Sequence, residues 1–355
     1  MTERLLVVMP NWFGEVLFTT PLLRVVREAY PRAFIAALHV PRVQDVLTHN
    51  PCCNELLVYD EEGTPHIGKG SRRQVISELR DERFDTAIIL RRSLSRTLLL
   101  VAAGIPRRIG FANWKSGWLL TDRVSTANLP AHKAYAYLRL LEPLGILETR
   151  GWCEYHVTEE ERAQMQHVLQ QHGMKPDLPV VVLHAGANWP HKRWPTVRLA
   201  QAADRLMGHR CQVVLTGSPE DVPLVEAIAS QMITQPIRLD GQTTFRQMAA
   251  CVEQADLVIA NDTGVLHIAA ALRRPLVGLY GPTDPSITGP IGDPEHVTVI
   301  HHSACCPAIP CRQPQHPGYP GMEAITVEEV TEAALSMLQS RFDLERFERP
   351  EIPDA

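Results

Sequence analysis

The sequence predicts an α/β protein made of two Rossmann-like, doubly wound parallel-sheet domains that face each other across a cleft. Three observations support this prediction. The chain of 355 residues is long enough for two domains of ordinary size. Each half opens with the same succession of a buried strand, a glycine-containing turn and a helix. Further short apolar strands alternate with helices, a pattern typical of parallel sheets covered on both faces.

The first half opens with an apolar run from Arg4 to Met9, a turn over residues 10–14, and apolar residues at helical spacing from Val16 to Val26. Its other predicted strands cover residues 33–38, 56–59, 86–90 and 108–111.

The second half opens with an apolar run over residues 180–183, a turn over residues 185–190 and a helix from about Thr196. Its other predicted strands cover residues 212–216, 237–240, 257–260, 276–280 and 297–300.

The expected domain limits follow from breaks in these patterns. A polar helical stretch ends at Gly173, so we expect an N-terminal domain over residues 1–172 and a C-terminal domain over residues 173–325. Residues 326–355 are expected to form a final helix and tail. Thr326 followed by Glu329 is the pattern of a capping box at a helix N-terminus.

The composition excludes several classes of protein. Apolar residues make up 45% and charged residues 21%, as in an ordinary soluble protein, and no apolar stretch approaches the roughly 18 residues of a membrane span. The apolar N-terminal run is too short for a signal peptide, so we expect a cytoplasmic protein. The net charge of −5 argues against binding to nucleic acid. Eight mostly scattered cysteines do not form a disulfide framework.

The most informative turn covers residues 261–267, between a predicted strand and an alanine-rich helix. Ligands of open parallel sheets bind beyond the carboxyl ends of the strands. Thr263 and Gly264 would offer backbone N–H groups at a helix N-terminus to a phosphate, and His267 would add a donor. Asp262 would suit the hydroxyls of a sugar. The alternative is that Asp262 or Thr263 only caps the helix.

A second turn places Lys192 and Arg193 between two Trp-Pro pairs. A cation held by stiff neighbours is suited to neutralising a departing diphosphate; the alternative is an exposed basic loop. After the strand over residues 212–216, Glu220 or Asp221 would hold a ribose diol, or else cap a helix.

Glu15 follows a glycine turn at the start of the first predicted helix. The helix dipole favours a negative charge there, as a general base requires. A glutamate in the first turn of a helix is also ordinary, so both interpretations stand.

Other cofactor signatures are missing or incomplete. There is no G-x-G-x-x-G after either opening strand and no G-x-x-x-x-G-K-[ST], which argues against a dinucleotide oxidoreductase and a P-loop NTPase. Three cysteines and three histidines cluster towards the C-terminus: Cys305, Cys306, Cys311, His301, His302 and His316. Their spacing matches no standard zinc pattern, and free cysteines in a proline-rich loop are the alternative, so no metal is expected.

Six motifs carry a family resemblance: Pro10-Asn-Trp-Phe-Gly-Glu15, Ala103-Gly-Ile-Pro-x-Arg108-Ile-Gly110, Lys192-Arg-Trp-Pro195, Gly217-Ser-Pro-Glu220, Asn261-Asp-Thr-Gly-x-x-His267-Ile-Ala-Ala270 and Leu279-Tyr-Gly-Pro-Thr283. Together they resemble the ADP-heptose:lipopolysaccharide heptosyltransferases, the bacterial family-9 glycosyltransferases with the GT-B fold, and most nearly the heptosyltransferase II type. The resemblance runs from Leu5 to about Leu338.

The resemblance implies an inverting transfer of heptose from ADP-heptose to the inner core of lipopolysaccharide, without a metal or other cofactor. The N-terminal domain would bind the acceptor and the C-terminal domain the donor. Glu15, where the family usually has aspartate, would deprotonate the acceptor hydroxyl, and Lys192 would stabilise the departing ADP. The implied donor-binding residues are Glu220 for the ribose, Thr243 near the adenine, Asp262 for the sugar, and Thr263, Gly264 and His267 for the diphosphate.

The first half of the sequence also contains a basic stretch. Between residues 91 and 123 there are seven basic residues and one acidic residue. The residues expected to bind an anionic, lipid-linked glycan acceptor are Arg91, Arg92, Arg96, Arg108 and Lys115. They would bring the protein into peripheral contact with the cytoplasmic face of the inner membrane. The alternative is a solvated basic face.

Two other functions stay open. One is a GT-B transferase that uses another nucleotide sugar or a surface-polysaccharide acceptor. The other is a catalytically silent nucleotide-sugar-binding protein.

Overall fold

The structure, a computed structural model, describes residues 3–60, 72–149, 151–302 and 320–339. Contacts between residues divide the chain into two units, Met1–His156 and Val157–Ala355. Each unit contains a six-stranded, all-parallel sheet with helices along it. The predicted α/β class with two parallel-sheet domains is therefore confirmed.

The strands of the first unit are β1 (Arg4–Val8), β2 (Phe34–His39), β3 (Glu55–Val58), β4 (Thr86–Ile89), β5 (Arg107–Phe111) and β6 (Asp122–Val124). Its helices are α1 (Phe13–Leu17), α2 (Thr20–Ala29), α3 (Gln44–Leu47), α4 (Arg72–Asp81), α5 (Leu94–Ala102) and α6 (Lys133–Leu138). The five longer strands lie within a residue or two of their predicted positions. The sequence did not predict β6, because a three-residue strand has no recognisable period.

The strands of the second unit are β7 (Val180–His184), β8 (Gln212–Thr216), β9 (Ile237–Arg238), β10 (Leu257–Asn261), β11 (Leu276–Tyr280) and β12 (Val297–His301). Its helices are α7 (Glu159–Gln171), α8 (Thr196–Gly208), α9 (Val222–Ala229), α10 (Phe245–Glu253), α11 (Gly264–Ala271), α12 (Pro285–Thr288), α13 (Pro320–Ala324) and α14 (Val327–Gln339). All six strands were predicted, although β9 has only two of the four residues expected for it.

Both sheets have the same strand order. It is β3-β2-β1-β4-β5-β6 in the first unit and β9-β8-β7-β10-β11-β12 in the second. The direction of winding reverses between β1 and β4 and between β7 and β10, and ligands of such sheets bind beyond the strand ends at this switch point. Val8 pairs with Ile89 in the first unit, and His184 with Ala260 in the second, so the turns that follow these strands are neighbours.

The predicted first helix is interrupted in the structure. The hydroxyl of Thr19 donates to Val16 O at 2.6 Å and that of Thr20 to Leu17 O at 2.8 Å. Pro21 has no N–H with which to continue the helical hydrogen bonds. As a result α1 is a short helix of its own, separate from α2.

The division between the units falls before α7 rather than at residue 172. Helix α7 packs on α10, where Arg162 donates to both carboxylate oxygens of Glu253 at 2.8 and 2.9 Å. Arg246 donates to both oxygens of Glu161 at 2.5 Å. These pairs attach the polar helix, which the sequence assigned to the first domain, to the second unit.

Helix α14 also belongs to the second unit, because it packs on α8 and on strands β10 and β11. The predicted capping box at its start is present: Glu329 N donates to Thr326 Oγ1 at 3.1 Å, and Thr326 N donates to Glu329 Oε2 at 2.8 Å.

Candidate functional site

The turns after β7 and β10 meet at the switch point of the second sheet. The buried side chain of Asn261, the last residue of β10, joins them. Its Oδ1 accepts from Trp194 N at 3.1 Å, and its Nδ2 donates to Ala185 O at 2.9 Å. The indole of Trp194 is anchored in turn, since its Nε1 donates to Ile325 O at 3.1 Å. The loop that carries Lys192 is therefore fixed against the end of β10.

Lys192 and Asp262 form an ion pair at this point. Lys192 Nζ lies 2.5 Å from Asp262 Oδ2, and the hydroxyl of Thr283 donates to the same oxygen at 2.7 Å. His267 Nε2 lies 3.6 Å from Asp262 Oδ1. Only 6% of the Asp262 side chain and 19% of the Lys192 side chain are exposed, so the two charges attract each other largely away from water.

The protonation of Asp262 follows from these neighbours. Burial alone raises the pKa of Asp262, but the imidazole of His267 and the ammonium of Lys192 outweigh that effect and hold the pKa below its usual range. Burial, and then the negative charge of Asp262, raise the pKa of Tyr280. Asp262 is thus a carboxylate near neutral pH, beside a cation and two hydrogen-bond donors.

The N-terminus of α11 opens beside this ion pair. Thr263 is the residue before the helix, in extended conformation, and its side chain makes no capping hydrogen bond. Thr263 Oγ1 is buried without a hydrogen-bond partner among the described residues. A buried donor without a partner is costly, and an oxygen of a bound anion would satisfy it. Of the two interpretations of this turn, the structure does not support the simple helix cap.

Gly186 lies where the turns after β7 and β8 come close together. A Cβ atom there would lie 2.4 Å from Asp221 Oδ2 and 3.1 Å from His184 Nε2. A larger residue at this position would therefore push the two turns apart. Burial lowers the pKa of His184 to about 4, against the opposing effect of the Asp221 charge. His184 is therefore neutral near pH 7, and its Nδ1 lies 3.0 Å from Thr216 Oγ1.

The structure separates the two acidic candidates after β8. Both carboxylate oxygens of Asp221 already accept hydrogen bonds from its own unit. The backbone N–H and the hydroxyl of Ser218 donate to Oδ2 at 3.2 and 2.8 Å, and Arg193 donates to Oδ1 at 3.3 Å. Glu220 is exposed. Asp221 has the capping role, and Glu220 remains the candidate for a ribose.

Thr243 is half-buried in the turn before α10. In this turn Gly241 has a φ of 67° and its N–H donates to Gly217 O at 3.0 Å. The turn that carries Thr243 therefore runs beside the one that carries Glu220.

In the first unit, the turn after β1 is held from two sides. The buried guanidinium of Arg96 donates to Met9 O and, at 2.5 Å, to Asn11 Oδ1. Arg42 Nε donates to Asn11 O at 2.8 Å. These bonds fix the backbone just ahead of α1 and so set the position of Glu15.

Glu15 has a partner that the sequence did not reveal. Lys133 Nζ, at the start of α6, lies 2.5 Å from Glu15 Oε1. One turn further along α6, the pKa of Tyr137 is raised by burial and then by the charge of Glu15, while Arg92 opposes both. Glu15 is thus a partly exposed carboxylate among a lysine, a tyrosine and an arginine.

The predicted acceptor-binding arginines differ in their surroundings. Arg91, Arg92 and Lys115 are exposed. Arg96 is only 2% exposed and is used to hold the turn after β1. The guanidinium of Arg108 donates to the carbonyls of Leu119, Ile105 and Pro106. Arg96 and Arg108 thus hold other parts of the unit, and their binding of the acceptor stays a prediction.

The described ranges contain neither a group of side chains that could hold a metal ion nor a helix that could span a membrane. No group of three His, Cys, Asp or Glu side chains there could hold a metal ion. Cys305, Cys306, Cys311 and His316, on which the metal interpretation rested, lie outside the described residues. In the same ranges, no helix is both long and apolar enough to cross a bilayer.

Comparison with known proteins agrees with this arrangement. Residues 72–316 match the family model described as glycosyltransferase family 9 (heptosyltransferase). Lipopolysaccharide heptosyltransferase 2 of Escherichia coli (strain K12) is 30% identical over 301 residues, which cover 81% of this chain and 85% of that protein.

Two solved structures are similar along almost the whole chain. One is a glycosyl transferase family 9 protein from Veillonella parvula DSM 2008, with a TM-score of 0.82 and 27% identity over 95% of this chain and 97% of that one. The other is the E. coli ADP-heptose LPS heptosyltransferase II, with a TM-score of 0.79 and 27% identity over 95% of this chain and 99% of that one. These similarities identify the two parallel-sheet units as a GT-B fold.

Proposed function

The chain belongs to glycosyltransferase family 9, and from this premise we propose that it transfers heptose from ADP-heptose to the inner core of lipopolysaccharide with inversion at the anomeric carbon. The observation that carries the proposal is the ion pair of Lys192 and Asp262 beside the N-terminus of α11. A fixed cation next to backbone donors suits a diphosphate, and a carboxylate in the same place suits sugar hydroxyls.

In this proposal the second unit binds the donor. The diphosphate lies at Thr263, Gly264 and His267, and its oxygens take the hydrogen bond that the buried Thr263 hydroxyl lacks. Asp262 accepts from hydroxyls of the heptose. Glu220 binds the ribose, and the turn with Thr243 borders the adenine, as the neighbouring positions of their turns suggest.

The first unit binds the acceptor and supplies the base. Glu15 takes the proton of the acceptor hydroxyl as its oxygen forms a bond to the anomeric carbon. The bond from that carbon to the diphosphate breaks, and its electron pair leaves with ADP. Lys192 neutralises the charge that develops on the leaving group. ADP-heptose is a substrate of this reaction, and no cofactor or metal takes part.

The acceptor is an anionic glycan on a lipid anchor. The exposed cations Arg91, Arg92 and Lys115 would attract its negatively charged groups. Such an acceptor places the enzyme in the cytoplasm, in peripheral contact with the inner membrane, and a role in nucleic-acid binding is not part of the proposal.

The test is donor-dependent release of ADP in the presence of a heptose-deficient core oligosaccharide. We expect release only when donor and acceptor are both present, and a product heavier by one heptose. A donor screen across nucleotide sugars belongs to the same experiment. Turnover with another sugar and not with ADP-heptose would contradict the donor assignment. Binding of ADP without any turnover would support the catalytically silent alternative.

A further inference from the structure

Helix α5 presents an apolar face to the outside of the first unit. Leu94, Leu98 and Val101 are 41%, 43% and 39% exposed. Their spacing places them on one side of the helix. Leu99 and Leu100, on the other side, are buried in the core of the unit. The helix thus has two apolar faces, and only one of them is covered by the described part of the chain.

Two exposed tryptophans lie in the segment after β5, and one of them is on a turn that contacts this helix. Trp114 is 86% and Trp118 65% exposed. The single turn Gly117–Leu119, which carries Trp118, contacts α5, and Leu120 packs in the same buried cluster as the inner face of α5. Exposure of a large aromatic side chain to water is unfavourable unless a partner covers it.

Basic side chains surround the apolar ones. Arg91 and Arg92 are exposed directly before α5, and Lys115 lies beside Trp114, with its ammonium 5.2 Å from the ring. The one acidic residue between residues 91 and 123 is Asp122, which is paired with Arg107 at 3.0 Å. The segment over residues 91–123 therefore carries a net positive charge.

We propose that these residues form a docking surface for an anionic lipid bilayer. This α5 surface consists of the apolar Leu94, Leu98, Val101, Trp114 and Trp118 and the basic Arg91, Arg92 and Lys115. The leucines, valine and tryptophans enter the boundary between headgroups and acyl chains, and the cations remain among the anionic headgroups. The inference rests on the proposed function, since a lipid-anchored acceptor requires the enzyme to work at a bilayer.

The charges favour a lipid surface over a second copy of the chain. Two copies that met through the α5 surface would bring their arginines and lysines together, and like charges repel when they are desolvated. An anionic bilayer attracts the same cations and covers the same apolar side chains.

The test uses the full chain and vesicles that contain neither donor nor acceptor. We expect co-sedimentation with phosphatidylcholine vesicles that contain phosphatidylglycerol, little with phosphatidylcholine alone, and weaker binding at high salt. The double variant Leu98→Ser, Trp118→Ser should bind the anionic vesicles at least about tenfold more weakly. Ile233→Ser is the matched control, because Ile233 is 81% exposed but lies in the second unit, and it should bind like the parent.

ADP affinity and the thermal midpoint show whether the double variant is folded. If it does not fold, Leu94→Ser and Trp114→Ser are tested singly. Equal binding of parent and folded variants, or no binding of the parent to anionic vesicles, would overturn the proposal. So would a dimer in analytical ultracentrifugation that the variants abolish while vesicle binding is unaffected. Because no sugar transfer is measured, failure of the heptosyltransferase assay would leave this result interpretable.

Discussion

Lys133 Nζ lies 2.5 Å from Glu15 Oε1, although 118 positions separate the two residues in the sequence. Both side chains are partly exposed, at 38% and 27%. A pair of this kind contributes only about 0–1 kcal/mol to folding. Its main effect is on the orientation of the Glu15 carboxylate, which the turn held by Arg96 brings to this position.

Glu15→Gln should lower kcat by about 10²–10⁴-fold, because the amide cannot accept the proton of the acceptor hydroxyl. The affinity for ADP should stay within about twofold of the parent, since Glu15 belongs to the first unit and the candidate donor site to the second. Steady-state kinetics and ADP titration measure the two quantities. Glu15→Asp is the control, and it should retain more activity than the amide. An active Glu15→Gln enzyme would refute the role of Glu15 as base.

Lys133→Met should reduce kcat by roughly 10–100-fold with little change in thermal midpoint, because a carboxylate without its partner samples other rotamers and misplacement of about 1 Å is costly in catalysis. Lys133→Arg, which keeps the charge, should recover part of the loss. If Lys133→Met lowered stability and left kcat unchanged, the pair would be only structural.

Lys192→Ala should lower kcat by about 10²–10³-fold and weaken ADP binding, since it removes the cation placed for the leaving diphosphate. It also leaves the buried carboxylate of Asp262 without its closest cation. A double-mutant cycle with Asp262→Asn should give a coupling of about 0.5–3 kcal/mol in the free energy of unfolding. Additive effects in that cycle would show that the 2.5 Å contact carries no energy.

Asn261→Ala should destabilise the second unit by about 1–3 kcal/mol, because it leaves the Trp194 N–H and the Ala185 carbonyl without their partner. We expect weaker ADP binding as well, since the Lys192 loop loses its anchor on β10. Chemical unfolding and ADP titration provide the readouts. Gln254→Ala, whose amide bonds two carbonyls of helices α7 and α10, is a control that should affect stability without changing ADP affinity.

The ion pair of Arg246 and Glu161 should make stability depend on pH. Hydrogen bonds from Arg246, against the opposing effect of burial, lower the pKa of Glu161 from its ordinary value of 4.5 to about 2. A depressed carboxyl pKa stabilises the folded state above the unfolded pKa, and this contribution is lost as the pH falls towards the folded pKa. Arg246→Ala should therefore differ most from the parent in unfolding free energy at neutral pH, and the difference should shrink between about pH 4.5 and pH 2. A difference that is constant over this range would contradict the assignment.

The sequence predicted the strands well because most of the longer ones contain a continuous apolar run, and a run of this kind is recognisable without its neighbours. It also located Lys192 and Asp262, since both lie in turns directly after such runs. It did not place Lys133 beside Glu15, and it counted Arg96 as a surface residue although Arg96 is buried. Neither relationship leaves a local pattern, because each joins segments more than 80 positions apart.

The hydrogen bond from the Trp194 indole to Ile325 O affects the stage of protein synthesis at which the candidate donor site can form. It links residues 131 positions apart, so a growing chain contains the Lys192 loop long before the carbonyl that anchors it has been synthesised. A chain stopped before residue 320 would possess every residue of the candidate donor site and still lack this anchor. The anchored form of that site therefore requires synthesis of Ile325, and a product terminated before it would carry the donor-site residues without their anchored loop.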